Sequence, residues 1–220
     1  MLLPDHRRDW PLWARLLHTL IRIYTRGFHR LRADASPVPA SGPAILAANH
    51  RSGPDPLFLI ASNPRLISFL IAREYYAIRW LRPLFERVGA VPVDRGRPTA
   101  GSLRGMLDRL AAGRVAGIFP EGAIQPAGAE VQARRGVALL ALESGAPVIP
   151  AQISGIHQLG GNDLWTFLRP RRVRLRYGAP VPLDDLRQRY GTEADRAVLQ
   201  EAADRILTAI HTLGEEPKAP

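Results

Sequence analysis

The sequence predicts an α/β fold: a mainly parallel or mixed sheet with helices on both faces, preceded by an N-terminal basic amphipathic helix. Short apolar runs alternate with helical patterns between Ala44 and Ile153, and glycine or proline marks the turns. The strand-like runs are apolar at nearly every position, as in strands buried on both faces. Polar clusters, Asn49-His50, Asp94-Arg95-Gly96 and Pro120-Glu121-Gly122, each stand just after such a run. In parallel sheets, ligands sit at those carboxyl ends.

The elements follow in order. Trp10 to Arg32 has helical periodicity, with Trp13, Leu16, Leu17, Leu20, Tyr24, Phe28 and Leu31 on one face. Arg15, His18, Arg22, Arg26 and His29 fall opposite. Such a helix suits a membrane surface, and equally a helix whose apolar face packs on the body of the protein. Residues 33–43 read as a proline-rich linker. Strands are expected at 44–48, 66–72, 88–93, 115–119 and 148–153. Helices are expected at 55–62, 78–87, 99–112 and 134–144, the last two stopped by Gly113 and Gly145. Asp55 has N-cap chemistry and Pro56 suits the first helical position. Residues 162–170 look like a loop, and Arg172 to Tyr177 alternates as a half-buried strand. A last helix opens at Thr192 and Asp195, with the stripe Leu199, Ala202, Ile206, Ala209, Leu213.

Composition narrows the function. The chain has 220 residues, enough for one well-buried domain, and no cysteine. That excludes a thiol nucleophile, a disulfide framework and cysteine-bearing zinc sites. The six histidines lack close metal-ligand spacing, so no metal is expected. The net charge is +10, and Lys218 is the only lysine among the cations. Such a charge favours anionic partners, a phospholipid surface or phosphorylated substrates. No nucleic-acid module is recognisable, so nucleic acid is not expected. No apolar run is long enough for a transmembrane helix, and the arginine-interrupted N-terminus does not read as a secretory signal.

The stretch from Ala47 to Pro56 places His50 at a strand end and Asp55 at the mouth of the next helix, across the Gly53-Pro54 turn. A carboxylate there can hold one ring nitrogen and leave the other as a general base. Ser52 lies near, but Gly53-Pro54 is not a nucleophile-elbow pattern. Arg95 offers a bidentate grip on phosphate, and Glu121 an acceptor beside a glycine that admits close approach.

Together these motifs resemble the glycerolipid acyltransferase family, typified by 1-acylglycerol-3-phosphate (lysophosphatidate) acyltransferases. The blocks are Asn49-His50 with Asp55, then Gly89 to Arg95, then Phe119 to Gly122, then Gly145 to Pro150, with Arg134-Arg135-Gly136 before the last. The resemblance implies catalysis by His50 and Asp55, and substrate binding by Asn49, Arg95, Glu121, Gly122, Arg134 and Pro150. Backbone amides of the strand-end loops would stabilise the oxyanion. It implies no cofactor: an acyl-CoA or acyl-carrier-protein thioester is the co-substrate. The implied partners are the acyl donor thioester, a lysolipid acceptor and the membrane phospholipid surface, with a peripheral position on the cytoplasmic face. The expected organisation is a membrane-surface helix over 1–32, an acyltransferase domain over 33–214 and a disordered tail over 215–220. Ala123-Ile124-Gln125 stands where the family usually has Thr-Arg-Ser, removing a hydroxyl and a guanidinium near the acceptor's head. Another lysolipid or an amino lipid as acceptor is therefore an alternative, as is a non-catalytic basic membrane-surface protein.

Overall fold

The computed structural model describes residues 3–94, 99–124, 132–157, 164–191 and 195–214. Helix α1 (Leu12–Ile23) runs into a π-helical turn, Tyr24–Phe28, and strand β1 (Arg32–Ala33) follows. The helix is thus shorter than the periodicity of 10–32 suggests, and the boundary expected at residue 32 falls inside β1. Then come β2 (Ala44–Ala48), α2 (Asp55–Ser62), β3 (Ile67–Ala72), α3 (Arg73–Tyr76), α4 (Arg82–Arg87) and β4 (Val91–Val93). Next are α5 (Ala100–Ala111), β5 (Val115–Ile118), α6 (Gly136–Ser144) and β6 (Val148–Ser154). The chain closes with α7 (Leu164–Leu168), β7 (Arg174–Tyr177), α8 (Asp184–Arg189) and α9 (Asp195–Thr212).

The strands form one seven-stranded sheet, ordered β1-β7-β6-β2-β5-β3-β4. Strands β2 to β6 pair in parallel, whereas β7 is antiparallel to β6. Helices cover both faces. Along β2, Ile45 and Ala47 enter a core with α5, α6, α8 and α9, while Ala44, Leu46 and Ala48 enter the core of α2. This strict alternation, with all five residues buried, is what a central parallel strand requires. The sequence reading of a mainly parallel or mixed α/β sheet agrees with this architecture.

Four details differ from expectation. The span 78–87 is helical only from Arg82, after a one-turn α3. The segment 162–170 contains α7. Helix α8 was not foreseen. In α9 the buried side is wider than the expected stripe: Val198, Ala202, Ala203, Ile206, Leu207 and Ile210 are buried, with Leu199 and Ala209 packed beside them, because α9 packs against both α6 and α8. Thr192 and the tail from 215 lie outside the described residues.

Helix α1 is inverted relative to an ordinary amphipathic helix. Its buried residues are the small Ala14 and the polar His18, with Thr25 buried in the turn that follows, and His18 Nε2 lies 3.1 Å from the Ile60 carbonyl oxygen of α2. Ile21 packs on the core, whereas Leu12, Trp13, Leu16, Leu20 and Ile23 point outward: Leu16 is 55% exposed and Leu20 62%. A buried arginine also organises the N-terminal segment. Arg65 donates to Asp5, to the Pro39 carbonyl and to the Gly113 carbonyl.

Candidate active site

The parallel strands bring β2 and β5 side by side, so the segments that follow them share one rim. Past β2 the chain turns through 49–54 before α2. Across that turn, His50 Nδ1 lies 2.9 Å from Asp55 Oδ2. Asp55 is fully buried, and the His50 side chain is 19% exposed. The same oxygen of Asp55 accepts the backbone N–H of Arg51 at 2.6 Å and of Ser52 at 2.8 Å. The other oxygen accepts the Ser52 hydroxyl at 2.6 Å. Because the carboxylate is an acceptor, His50 carries its proton on Nδ1. Nε2 then presents a lone pair, and it has no hydrogen-bond partner among the described residues. Asp55 does not cap its own helix. Its side chain reaches back to the preceding loop, and Pro54 holds the cap position without a side-chain bond.

The end of β5 completes the setting. The Phe119 ring stacks on His50, with centroids 4.2 Å apart. Phe69 stacks in turn on Phe119, and it lies where a side chain at Gly117 would collide with its ring. That glycine therefore lets the aromatic stack form, which fixes the plane of the imidazole. Glu121 is buried, and its Oε2 accepts the His50 backbone N–H at 3.1 Å. Its Oε1 is buried without a hydrogen-bond partner among the described residues. Burial pushes the Glu121 carboxyl above its ordinary value, against the opposing pull of the His50 N–H and the Arg51 charge. Gly122 has φ +73°, and a Cβ there would strike the Arg134 side chain, which lies across the turn. Arg134 Nε donates to the Glu121 carbonyl at 3.3 Å.

The structure thus gathers His50, Asp55, Glu121, Gly122 and Arg134. Asn49 is beside them but faces the protein: its amide donates to the Ile153 carbonyl at 2.9 Å and accepts the Ile153 N–H at 2.7 Å. It ties β2 to β6 and, contrary to the expectation of substrate contact, its observed bonds go to the backbone. Pro150 is buried inside β6, paired with Ala47, and so sits within the sheet away from the rim. Its carbonyl accepts the Gly178 N–H, so its nitrogen faces the side where β7 has ended and no sheet hydrogen bond is lost. Arg95 lies outside the described residues. Its neighbour Asp94 is paired with Arg73 at 2.8 Å. The N–H groups of His50, Arg51 and Ser52 are all engaged by Glu121 or Asp55, so these three amides are not the expected oxyanion donors. Ser52 and Phe119 were not singled out as site residues. Only the proximity of Ser52 to Asp55 hinted at the first, and an aromatic before Pro-Glu at the second.

Residues 30–154, more than half of the chain, match the model of the acyltransferase family. The chain belongs to the acyltransferase family. The acyltransferase span includes every candidate site residue, from Asn49 to Pro150. The chain is 25% identical over 170 residues to the 1-acyl-sn-glycerol-3-phosphate acyltransferase of Bacillus subtilis (strain 168), covering 77% of this chain and 82% of that one. It is 26% identical over 176 residues to the enzyme of the same name from Streptococcus pneumoniae (strain ATCC BAA-255 / R6), covering 79% of this chain and 61% of the relative. Among solved structures, the 1-acyl-sn-glycerophosphate (LPA) acyltransferase PlsC of Thermotoga maritima superposes with a TM-score of 0.69 at 21% identity. That match covers 93% of this chain and 83% of the other, and it shows a shared acyltransferase fold.

Proposed function

We propose that this acyltransferase moves a fatty acyl group from an acyl-CoA or acyl-carrier-protein thioester to the hydroxyl of 1-acylglycerol-3-phosphate in phospholipid synthesis. The observation that carries the chemistry is the His50–Asp55 pair, with a buried carboxylate on Nδ1 and an open Nε2. An alcohol is far too weak an acid to attack a thioester unaided at neutral pH. His50 Nε2 takes the hydroxyl proton as the oxygen attacks the carbonyl carbon. The resulting imidazolium is stabilised by Asp55 and returns the proton to the departing thiolate. The acyl C–S bond breaks, the ester C–O bond forms, and no acyl-enzyme is needed. Ser52 is unsuited to be a nucleophile, because its hydroxyl is buried and committed to Asp55.

Oε1 of Glu121, without a partner among the described residues, is the group that would accept a second polar contact from the acceptor, with Gly122 and Arg134 shaping the wall beside it. Arg95 is assigned the acceptor's phosphate on the strength of its motif. No helix among the described residues is long and apolar enough to cross a membrane. The outward apolar face of α1 instead supports peripheral attachment, at the cytoplasmic face where activated acyl thioesters are made available. The relatives named above act on 1-acyl-sn-glycerol-3-phosphate by name. Ala123-Ile124, in place of the usual Thr-Arg, favours one competing reading, transfer to a different lysolipid or amino lipid. Acyl transfer to a panel of lysolipids, read by mass spectrometry, decides between them. Preferred acylation of 1-acylglycerol-3-phosphate supports the proposal, and preference for an acceptor without a phosphomonoester overturns it.

A further inference from the structure

The rim that carries His50 holds a second charged feature, two strand positions away. Ser154 at the end of β6 pairs with Arg174 at the start of β7, which pairs with Arg32 of β1. Just beyond these three, Arg30, Gly155, Pro170, Arg171 and Arg172 line a cleft of about 350 Å³. Two backbone features close it. Arg30 has φ +48°, and Gly155 has φ +80° with the Arg172 carbonyl where a Cβ would stand. Among the described residues, none of the guanidinium groups of Arg30, Arg171 and Arg172 has a hydrogen-bonded or ion-paired partner. The neighbouring Asp34 carboxylate is instead 3.6 Å from Arg174. A cleft lined by three arginines that have no ion-paired acid among the described residues is complementary to an oxyanion, which guanidinium binds bidentately.

The cleft has an apolar shoulder. Phe28 stands two residues before Arg30, and Leu168 two before Pro170. Trp165 is 51% exposed and Leu168 58%, while the Arg169 guanidinium lies over the Trp165 ring at 5.7 Å. The shoulder is held in place: Tyr24 donates its hydroxyl to the Phe167 carbonyl at 2.7 Å, and the buried His29 Nε2 lies 2.8 Å from that hydroxyl. The Tyr24–Phe167 bond thus ties α7 to the turn that follows α1.

We propose that the Arg30–Arg171–Arg172 cleft binds the headgroup phosphate of an anionic phospholipid resident in the bilayer, with Trp165, Leu168 and Phe28 set among the acyl chains. The occupant is not the acyl acceptor. Two strand spacings put the cleft on the order of 10 Å from His50 along the rim, whereas the hydroxyl of a glycerol phosphate lies only a few bonds from its phosphate. The site therefore acts as an anchor that orients the rim toward the membrane, and it can be tested without any turnover.

The test uses the full chain and sedimentation with phosphatidylcholine vesicles containing increasing phosphatidylglycerol. The pocket variant is Arg171→Gln with Arg172→Gln. A charge-matched control carries Arg104→Gln with Arg196→Gln, both exposed and remote from the cleft. Arg30→Asn is a second pocket variant that keeps the left-handed backbone accessible. The pocket pair should weaken binding to phosphatidylglycerol vesicles roughly tenfold to thirtyfold, and the control pair by much less. In detergent micelles the pocket pair should leave the KM for 1-acylglycerol-3-phosphate unchanged. Equal losses in pocket and control variants would reduce the cleft to bulk charge. A raised acceptor KM with intact vesicle binding would make it an acceptor site, and either result overturns the proposal.

Discussion

His50 Nδ1, the backbone N–H groups of Arg51 and Ser52, and the Ser52 hydroxyl converge on the carboxylate of Asp55. The backbone and hydroxyl donors fix the loop that carries the histidine, so Asp55 sets both the tautomer of His50 and the path of the backbone beneath it. Ser52→Ala removes the hydroxyl bond to Oδ1. Hydrogen bonds to buried charges are worth roughly 1.5–3 kcal/mol, so this variant should lose about that much stability in chemical denaturation and lower kcat as well. Unchanged stability would mean that the hydroxyl bond is not formed in solution. The His50-Asp55 spacing was legible in the sequence because His, turn and Asp occur in one short stretch. The Ser52 and Phe119 contributions were not, because a hydroxyl bond and a ring stack depend on rotamers and on a strand neighbour distant in sequence. Asn49 shows the same limit: its partner Ile153 is brought alongside only by the β2–β6 pairing.

Among the elements, α1 presents its apolar side outward and its histidine inward, which periodicity cannot decide. Amphipathicity revealed the two faces and left open which one meets the protein. Leu16→Gln with Leu20→Gln should leave thermal stability nearly unchanged, since neither side chain is buried. The same pair should weaken vesicle binding about tenfold or more, because each leucine would otherwise bury apolar surface in lipid. A sharp drop in Tm with unaltered vesicle binding would show that this face packs on protein instead. Arg65 makes the complementary point. From the sequence it is one arginine among many, yet its guanidinium joins Asp5, Pro39 and Gly113, segments distant from one another along the chain. Arg65→Met should destabilise the protein by about 3 kcal/mol, the scale of breaking a buried ion pair. Denaturant titration checks it, and a loss within the range of surface substitutions would contradict the assigned role. The alternation of apolar strands and helices was the most legible feature, since strands buried on both faces leave an unambiguous pattern. Short helices such as α7 and α8 leave too few residues to show any.

For the molecule as a whole, stability responds to pH through three buried or half-buried histidines. Burial holds His18, His29 and His211 below the ordinary value of 6.5, with Arg7 and Arg22 adding to the effect at His18, Arg171 at His29 and Arg51 at His211. The unfolded chain therefore takes up protons first as pH falls. Stability from these groups is fully present above about pH 6.5 and is lost as pH drops from there toward their folded values. The midpoint of thermal unfolding should fall on acidification from pH 7 to pH 5. A flat or rising midpoint would contradict the buried neutral state of these rings. The proposed acyl transfer requires His50 and Asp55 to act as one general-base unit. Asp55→Asn suits the test: its amide oxygen can keep the bonds from His50, Arg51 and Ser52, and its NH2 can face the Ser52 hydroxyl once that group rotates. Only the charge is then removed. The most direct measurement is the turnover of 1-acylglycerol-3-phosphate and acyl-CoA by His50→Ala, Asp55→Asn and the double variant, with circular dichroism confirming folding. His50→Ala should lose roughly 10²–10⁴ in kcat, and the double variant should be little worse than the more damaging single one. Near-normal turnover by folded His50→Ala, or losses that multiply in the double variant, would contradict the mechanism.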